Sequence, residues 1–379
     1  MFMKKIYLDY ASLTPIDPKV IRVIKKFSDK VYGNPSALYA SAVWAKNALT
    51  DARERVAKVL HAHSDEIIFT GSGTESNNLA LLGVIEAYQG KHIIVSAIEH
   101  SSVIETAHYL EKKGVEVTYL KVDENGVVDL EQLKKSIRPE TILVSIMMVN
   151  NEVGTIEPIY EISKIVRDYR KTSGTRFPFL HTDACQAPTS LEVYVEKMNV
   201  DLVTLDGHKV YGPRGLGMLY VRRGVECSPI LHGGSQERGL RSGTENIPGI
   251  QGFALALELV ERMRKKESQR LAVLKKYFID ELNKINSGIK INGSMVNTVP
   301  NILNISIPNI DSEFFVLQLD AKGIECSTKS ACLKDEDESY VLKAIGVDPR
   351  NSIRFSFGRN TKKGDLKKTL NTMKIIDRD

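Results

Sequence analysis

Three features of this 379-residue chain predict an α/β fold, in which a large unit built on a mainly parallel sheet is followed by a smaller α+β unit. First, seven short β-branched runs, "EIIFTG", "KHIIVS", "VEVTYLKV", "TILVSIMMV", "FPFLHTD", "VDLVTLD" and "GMLYVRR", follow one another with helical runs between most of them. That alternation is the signature of a largely parallel sheet covered by helices. Second, a long helical stretch runs from about Pro248 to Ile285. Third, the texture changes after it: "NILNISI", "SEFFVLQLDAKG", "YVLKAIG", "SIRFSFG" and "TKKGDLKKTLNTMKII" read as a compact companion unit.

Taken in order, Asp17 can cap a helix that Pro18 opens, with Val20, Val23, Ile24 and Phe27 on one face. A longer helix is expected from about Ala37 to Leu60, and others from about Glu75 and through His108. "LEQLKKSI" and "IYEISKIVRDYR" supply two more. The first turns of the chain are free to pack with the small unit. Polar clusters fall at strand ends, where open α/β sheets place ligands.

With 52 basic and 47 acidic side chains the net charge is only +5, and both signs are scattered. No field dedicated to nucleic acid or a membrane surface is implied, so the chemistry points to small molecules or protein partners. No apolar run approaches the roughly 20 residues needed to span a bilayer. The four cysteines, Cys185, Cys227, Cys326 and Cys332, lack metal-type spacing, and nothing at the start reads as a secretory segment. A cytoplasmic protein with reduced thiols and no metal centre is the expectation.

Four places carry chemistry. "GSGTESNN", Gly71 to Asn78, joins a strand to a helix and would suit a phosphate at a helix N-terminus, although a βα turn capped by Thr74 fits the same residues. Asp183 ends "FPFLHTD", where its carboxylate can hold a protonated ring nitrogen or cap a helix, and Gln186 follows three residues on. His100 stands just after a strand, placed to stack on a flat cofactor or simply to cap. Lys209, in "DGHKVYGPRG", lies on no amphipathic helix and in no charge run; a Schiff-base lysine needs such a reachable loop, and a surface turn is the alternative.

Together these form the complement that pyridoxal phosphate requires. The chain also carries, in order, "YLDYASLTP", "GNPSALY", "IEHSSV", "MMVNNEVGTIEPI", "HTDACQAP", "GGSQERGLRSGTENIPG", "STKSAC" and "SIRFSFGRNT". On these motifs it resembles the NifS/IscS-like cysteine desulfurases of the class V aminotransferase family, which are fold type I pyridoxal-phosphate enzymes. The resemblance implies a large cofactor-binding domain over residues 15–255 with a seven-stranded sheet. Residues 1–14 and 256–379 would form the small domain. The implied reaction converts L-cysteine to L-alanine and leaves sulfur as a persulfide, for iron–sulfur cluster assembly or tRNA thiolation.

Residue by residue, Lys209 resembles the lysine that carries the cofactor, Asp183 the partner of the pyridine nitrogen and His100 the residue stacked on the ring. Gln186 and Asn150 resemble contacts to the phenolic oxygen, Asn150 also reaching the substrate. Gly73, Thr74 and His208 resemble phosphate ligands, with Thr244 of the partner subunit completing the cradle in a homodimer. Arg354 resembles the arginine that grips the substrate carboxylate, a task that suits its planar fork. Cys332 resembles the nucleophile on a mobile loop, while Cys185, Cys227 and Cys326 fit buried structural thiols better.

Four positions depart from the family pattern: Leu13, Tyr39, Lys329 and Asp206, the last standing where a phosphate-binding serine is usual. A carboxylate there needs a counter-charge, and Arg241, on the segment expected from the partner subunit, is the residue expected to supply it. The chain closes soon after "NTMKIIDRD", which leaves little room for the long C-terminal extension with which some relatives engage an iron–sulfur scaffold. A sulfur-acceptor protein therefore stays an open partner. Two other readings stay open at this point: a selenocysteine lyase, and a non-catalytic dimeric homologue.

Overall fold

The computed structural model describes residues 5–285, 287–328 and 338–376. Asp17 does cap the Pro18–Lys30 helix, its Oδ1 accepting the Lys19 amide at 2.8 Å. The next helix is Ala40–Leu60, three residues shorter at its start than its composition implies. Asn34 explains the delay: its side chain accepts the Ser36 amide and its carbonyl the Ala37 amide, so the chain turns before it can wind. Both helices pack on the 39-residue helix Ile247–Ile285.

Seven strands form the main sheet in the order Ile67–Thr70, Gly217–Val221, Leu202–Asp206, Phe179–Asp183, Thr141–Ser145, His92–Ser96, Glu116–Leu120. Gly217–Val221 runs antiparallel to both neighbours, and every other pair is parallel. All strands except Gly217–Val221 therefore point their C-terminal ends at one edge. Their side chains are almost all buried, as a sheet covered on both faces demands, apart from the half-exposed Glu116–Leu120 edge.

A second core lies beyond the long helix. Strands Lys290–Asn292, Ile302–Ser306 and Ser352–Ser356 pair antiparallel, and Ile6–Tyr7 pairs with Ile324–Glu325. The chain's first strand thus belongs with its last third. Phe278 meets Phe355 and Phe357 edge-on, at 5.2 and 5.8 Å between ring centres, in the middle of this core. The long helix serves both cores: Phe253 and Leu257 pack with the main sheet, Leu274 and Phe278 with the small one. Among the described residues no helix is long and apolar enough to cross a membrane.

Candidate active site

One cavity opens at the edge where the parallel strands end. Lys209 reaches it from the Gly207–Lys209 turn, directly after strand Leu202–Asp206. Its Nζ donates to the carbonyls of Ala11 (2.7 Å) and Ser12 (2.8 Å). Gln186 Nε2 donates to the same Ala11 carbonyl at 2.9 Å. Thr14 locks the crossing, its hydroxyl donating to the His208 carbonyl (2.7 Å) and accepting the Tyr211 amide (2.8 Å). Tyr211 is held at φ 61°, a costly conformation for a residue with a side chain. Residues 11–14 thereby fix the lysine turn from almost 200 positions away.

Asp183, buried at the end of its strand, accepts Asn77 Nδ2 through Oδ2 (2.7 Å) and the Cys185 amide through Oδ1 (2.9 Å). Asn77 Nδ2 also reaches Ser102 Oγ (2.8 Å), which lies 2.8 Å from His100 Nδ1. Side chains from three strand-to-helix junctions are thus joined in one row, His100–Ser102–Asn77–Asp183. His100 caps the Ser101–Lys112 helix and also lines the cavity. Because Nδ1 accepts the Ser102 amide (3.2 Å), the ring proton of a neutral His100 sits on Nε2. Below the row, His181 spans from Ser145 (2.8 Å) to Thr204 (3.1 Å), and burial pushes its imidazole down to about 4, so it is an uncharged strut.

At the start of helix Gly73–Tyr88 the capping residue is Ser72 rather than Thr74; its Oγ accepts the Glu75 amide at 3.1 Å. Thr74 is left exposed and lines the cavity. Gly73 sits in a tight place, since a Cβ would lie 3.0 Å from Cys185 Sγ and 3.1 Å from Asp206 Oδ2 and would push those side chains aside. Asp206, 5% exposed, accepts the Gly73 amide through Oδ2 (2.7 Å) and the His208 amide through Oδ1 (3.0 Å). Its side-chain partner within the chain is His208, whose Nδ1 lies 2.5 Å from Oδ1. Burial pushes the Asp206 carboxyl up, but His208 and the two amides outweigh it and leave the group below the usual carboxylate value. Within the chain Arg241 Nε binds Glu75 Oε1 at 2.9 Å, whereas the pairing expected for Asp206 is with Arg241 of the partner subunit, a contact between chains. Glu75, in the first turn of the same helix, offers a more accessible carboxylate than Asp206. Thr244 is exposed and outside this chain's cavity.

Arg354, only 1% exposed, enters from strand Ser352–Ser356. Its guanidinium donates to the Asn151 carbonyl (2.9 Å), Asp9 Oδ1 (2.8 Å) and Ser12 Oγ (2.7 Å), and its Nε has no partner among the described residues. Asn150 does not line the cavity, the place expected of it. Asn150 is fully buried, its Oδ1 accepting the Glu152 and Val153 amides and its Nδ2 bound to the Ile98 carbonyl; Asn151 lines the cavity instead. Leaving a strand, consecutive side chains point opposite ways, so a one-residue shift swaps wall for core. Sequence reading also passes over Ser12, Asn77 and Ser102. Tyr39 is exposed and, like Leu13, does not line the cavity. Cys332 and Lys329 lie outside the described residues.

All three described thiols are poor nucleophiles. Burial, aided by the Asp183 and Asp206 carboxylates, pushes the Cys185 thiol well up. Burial alone pushes Cys227 up to about 12, and burial with Asp9 raises Cys326.

Glu99, beside His100, is fully buried, and burial pushes its carboxyl up to about 8. Oε1 accepts Ser96 Oγ (2.6 Å) and the Met147 amide (2.8 Å), while Oε2 has no partner among the described residues. Between pH 4.5 and 8 the folded chain therefore keeps a proton that the unfolded chain has lost, and stability falls as pH rises through that window. Glu99→Gln, neutral at every pH, is expected to remove a contribution on the order of a few kcal/mol to that fall. Melting curves of both proteins across the window check it; parallel pH profiles would contradict it.

Comparison with known proteins fits this geometry. Residues 6–369 match the profile of the family described as Aminotransferase class-V. A cysteine desulfurase IscS of Dictyoglomus turgidum is 46% identical, over 98% of this chain and 94% of its own. A solved NifS-like protein superposes with a TM-score of 0.92 at 36% identity, covering 99% of both chains. SspA, solved in complex with cysteine, superposes with a TM-score of 0.82 at 35% identity, covering 93% of this chain and 99% of its own. The chain belongs to the class-V aminotransferase family, in its IscS- and NifS-like cysteine desulfurase group.

Proposed function

We propose that the cavity holds pyridoxal phosphate on Lys209 and converts L-cysteine to L-alanine, leaving the sulfur as a persulfide on Cys332. The observation that carries this reading is the convergence of a loop amine, a buried strand-end carboxylate and a buried guanidinium on one cavity. The residues fit the cofactor. Lys209 supplies the amine for its aldehyde, Asp183 a carboxylate for its ring nitrogen, His100 a ring face, and Gln186 a hydrogen bond. The Thr74 hydroxyl and amide, with His208, supply the phosphate site. When bound, the cofactor supplies an electron sink for the substrate's α-carbon.

The chain's own residues do the rest. Arg354 binds the substrate carboxylate, and Asn151 takes the place given to Asn150 beside it. The Cys332 thiolate attacks the substrate sulfur: the carbon–sulfur bond breaks, a sulfur–sulfur bond forms, and the carbon gains a proton. Net, L-cysteine and an enzyme thiol become L-alanine and an enzyme persulfide. The high pKa values of Cys185, Cys227 and Cys326 support assigning the attack to Cys332. So do the anchors flanking its segment. Ser327 is bonded through its backbone to Arg354, and Ser339 Oγ to Glu152 Oε2 at 2.6 Å. The protein acts as a homodimer, with Thr244 of the partner subunit at the phosphate, and passes sulfur to an acceptor protein.

The cofactor-loaded protein, assayed for alanine with L-cysteine and with L-selenocysteine, tests this. Alanine is expected from cysteine at a rate comparable to that from selenocysteine; alanine from selenocysteine alone would make the protein a lyase for the latter.

A further inference from the structure

The Gly73–Tyr88 helix begins with two carboxylates already in place. Glu75 accepts the Gly71 amide (2.8 Å) and is matched by the Arg241 guanidinium. Among the described residues of this chain Asp206 is matched only by the His208 imidazole, and it consumes the Gly73 amide, the first donor of the helix. Ser72 takes the Glu75 amide. Of the first three amides of the helix, that of Thr74 is the one without a protein acceptor among the described residues. A phosphate arriving here thus meets one free amide, the Thr74 hydroxyl and His208, with a buried negative charge beside them. The Asp206–His208 pair is neutral at best. A helix end that could attract an anion is therefore already partly discharged.

We propose that Asp206 is an affinity-setting residue that weakens the grip on the cofactor's phosphate, so that this chain holds its cofactor mainly through Lys209 and the ring contacts. The proposal rests on the cavity binding pyridoxal phosphate. Removing the carboxylate has two favourable effects on a phosphate: it returns the Gly73 amide as a donor and deletes a like charge in a dry place. It has one unfavourable effect, the loss of an acceptor that orients His208. Charge repulsion at low local dielectric outweighs one orienting hydrogen bond, so the balance favours tighter phosphate binding.

Apo-protein titrated with pyridoxal phosphate and, separately, with pyridoxal, which lacks the phosphate, provides the test through dissociation constants read by absorbance. The proteins are the parent, Asp206→Ser and Asp206→Asn. The asparagine variant keeps the shape and serves if the serine variant folds poorly. Both variants are expected to bind pyridoxal phosphate about tenfold more tightly or better, with pyridoxal binding nearly unchanged. An unchanged ratio between the two ligands, or weaker binding of the phosphorylated one, would overturn the proposal while leaving the cofactor assignment intact. A parent protein that binds neither ligand would overturn both.

Discussion

Lys209→Ala is expected to lose covalently held cofactor altogether and to reduce alanine formation by at least about 10³-fold. The lysine ammonium rests on two backbone carbonyls, those of Ala11 and Ser12, and no other described amine lines the cavity. No neighbour can therefore replace it. The fold should survive, because the Thr14 bonds to His208 and Tyr211 hold the crossing without it. Borohydride reduction followed by mass spectrometry checks the first claim: cofactor should be found on Lys209 in the parent and nowhere in the variant. Cofactor retained covalently by the variant would contradict it.

The second large effect is expected at Arg354. Its guanidinium is nearly inaccessible and shared among Asp9, Ser12 and the Asn151 carbonyl, and only a planar fork satisfies several acceptors at fixed angles. Arg354→Lys keeps the charge and loses the fork. Breaking one side of such a buried polar arrangement costs about 3–5 kcal/mol, or roughly 10²- to 5 × 10³-fold. The loss should appear as a raised KM for L-cysteine with the cofactor's absorbance unchanged, since the ring contacts lie on other elements. A variant with parental KM would show that the substrate carboxylate binds elsewhere.

The legible parts of this molecule were those encoded by short-range pattern. Strand runs ending in Asp183 and Asp206 declare both the sheet and its functional edge, because parallel strands buried on both faces need largely apolar sequence and leave their carboxylates at their ends. Illegible parts depend on parity or on distance along the chain. Asn150 and Asn151 differ by one position and point to opposite sides, so quoting the pair leaves the choice open. Ser72 and Thr74 are equally good caps by composition, and the Ser72 backbone, extended at φ −172° and ψ 168°, decides between them. The contact of Ala11 and Ser12 with Lys209 spans 197 residues or more, beyond any local signal. Arg241 pairs within its own chain with Glu75, a contact of two residues 166 positions apart that no local pattern announces.

Location of the sulfur tests the account most directly. The cofactor-loaded protein is incubated with L-cysteine for a single turnover, alkylated, digested and analysed by mass spectrometry, with alanine counted in the same sample. One extra sulfur on the Cys332 peptide for each alanine formed is the predicted result. Extra sulfur on Cys185, Cys227 or Cys326, or alanine formed without any persulfide, would contradict the account.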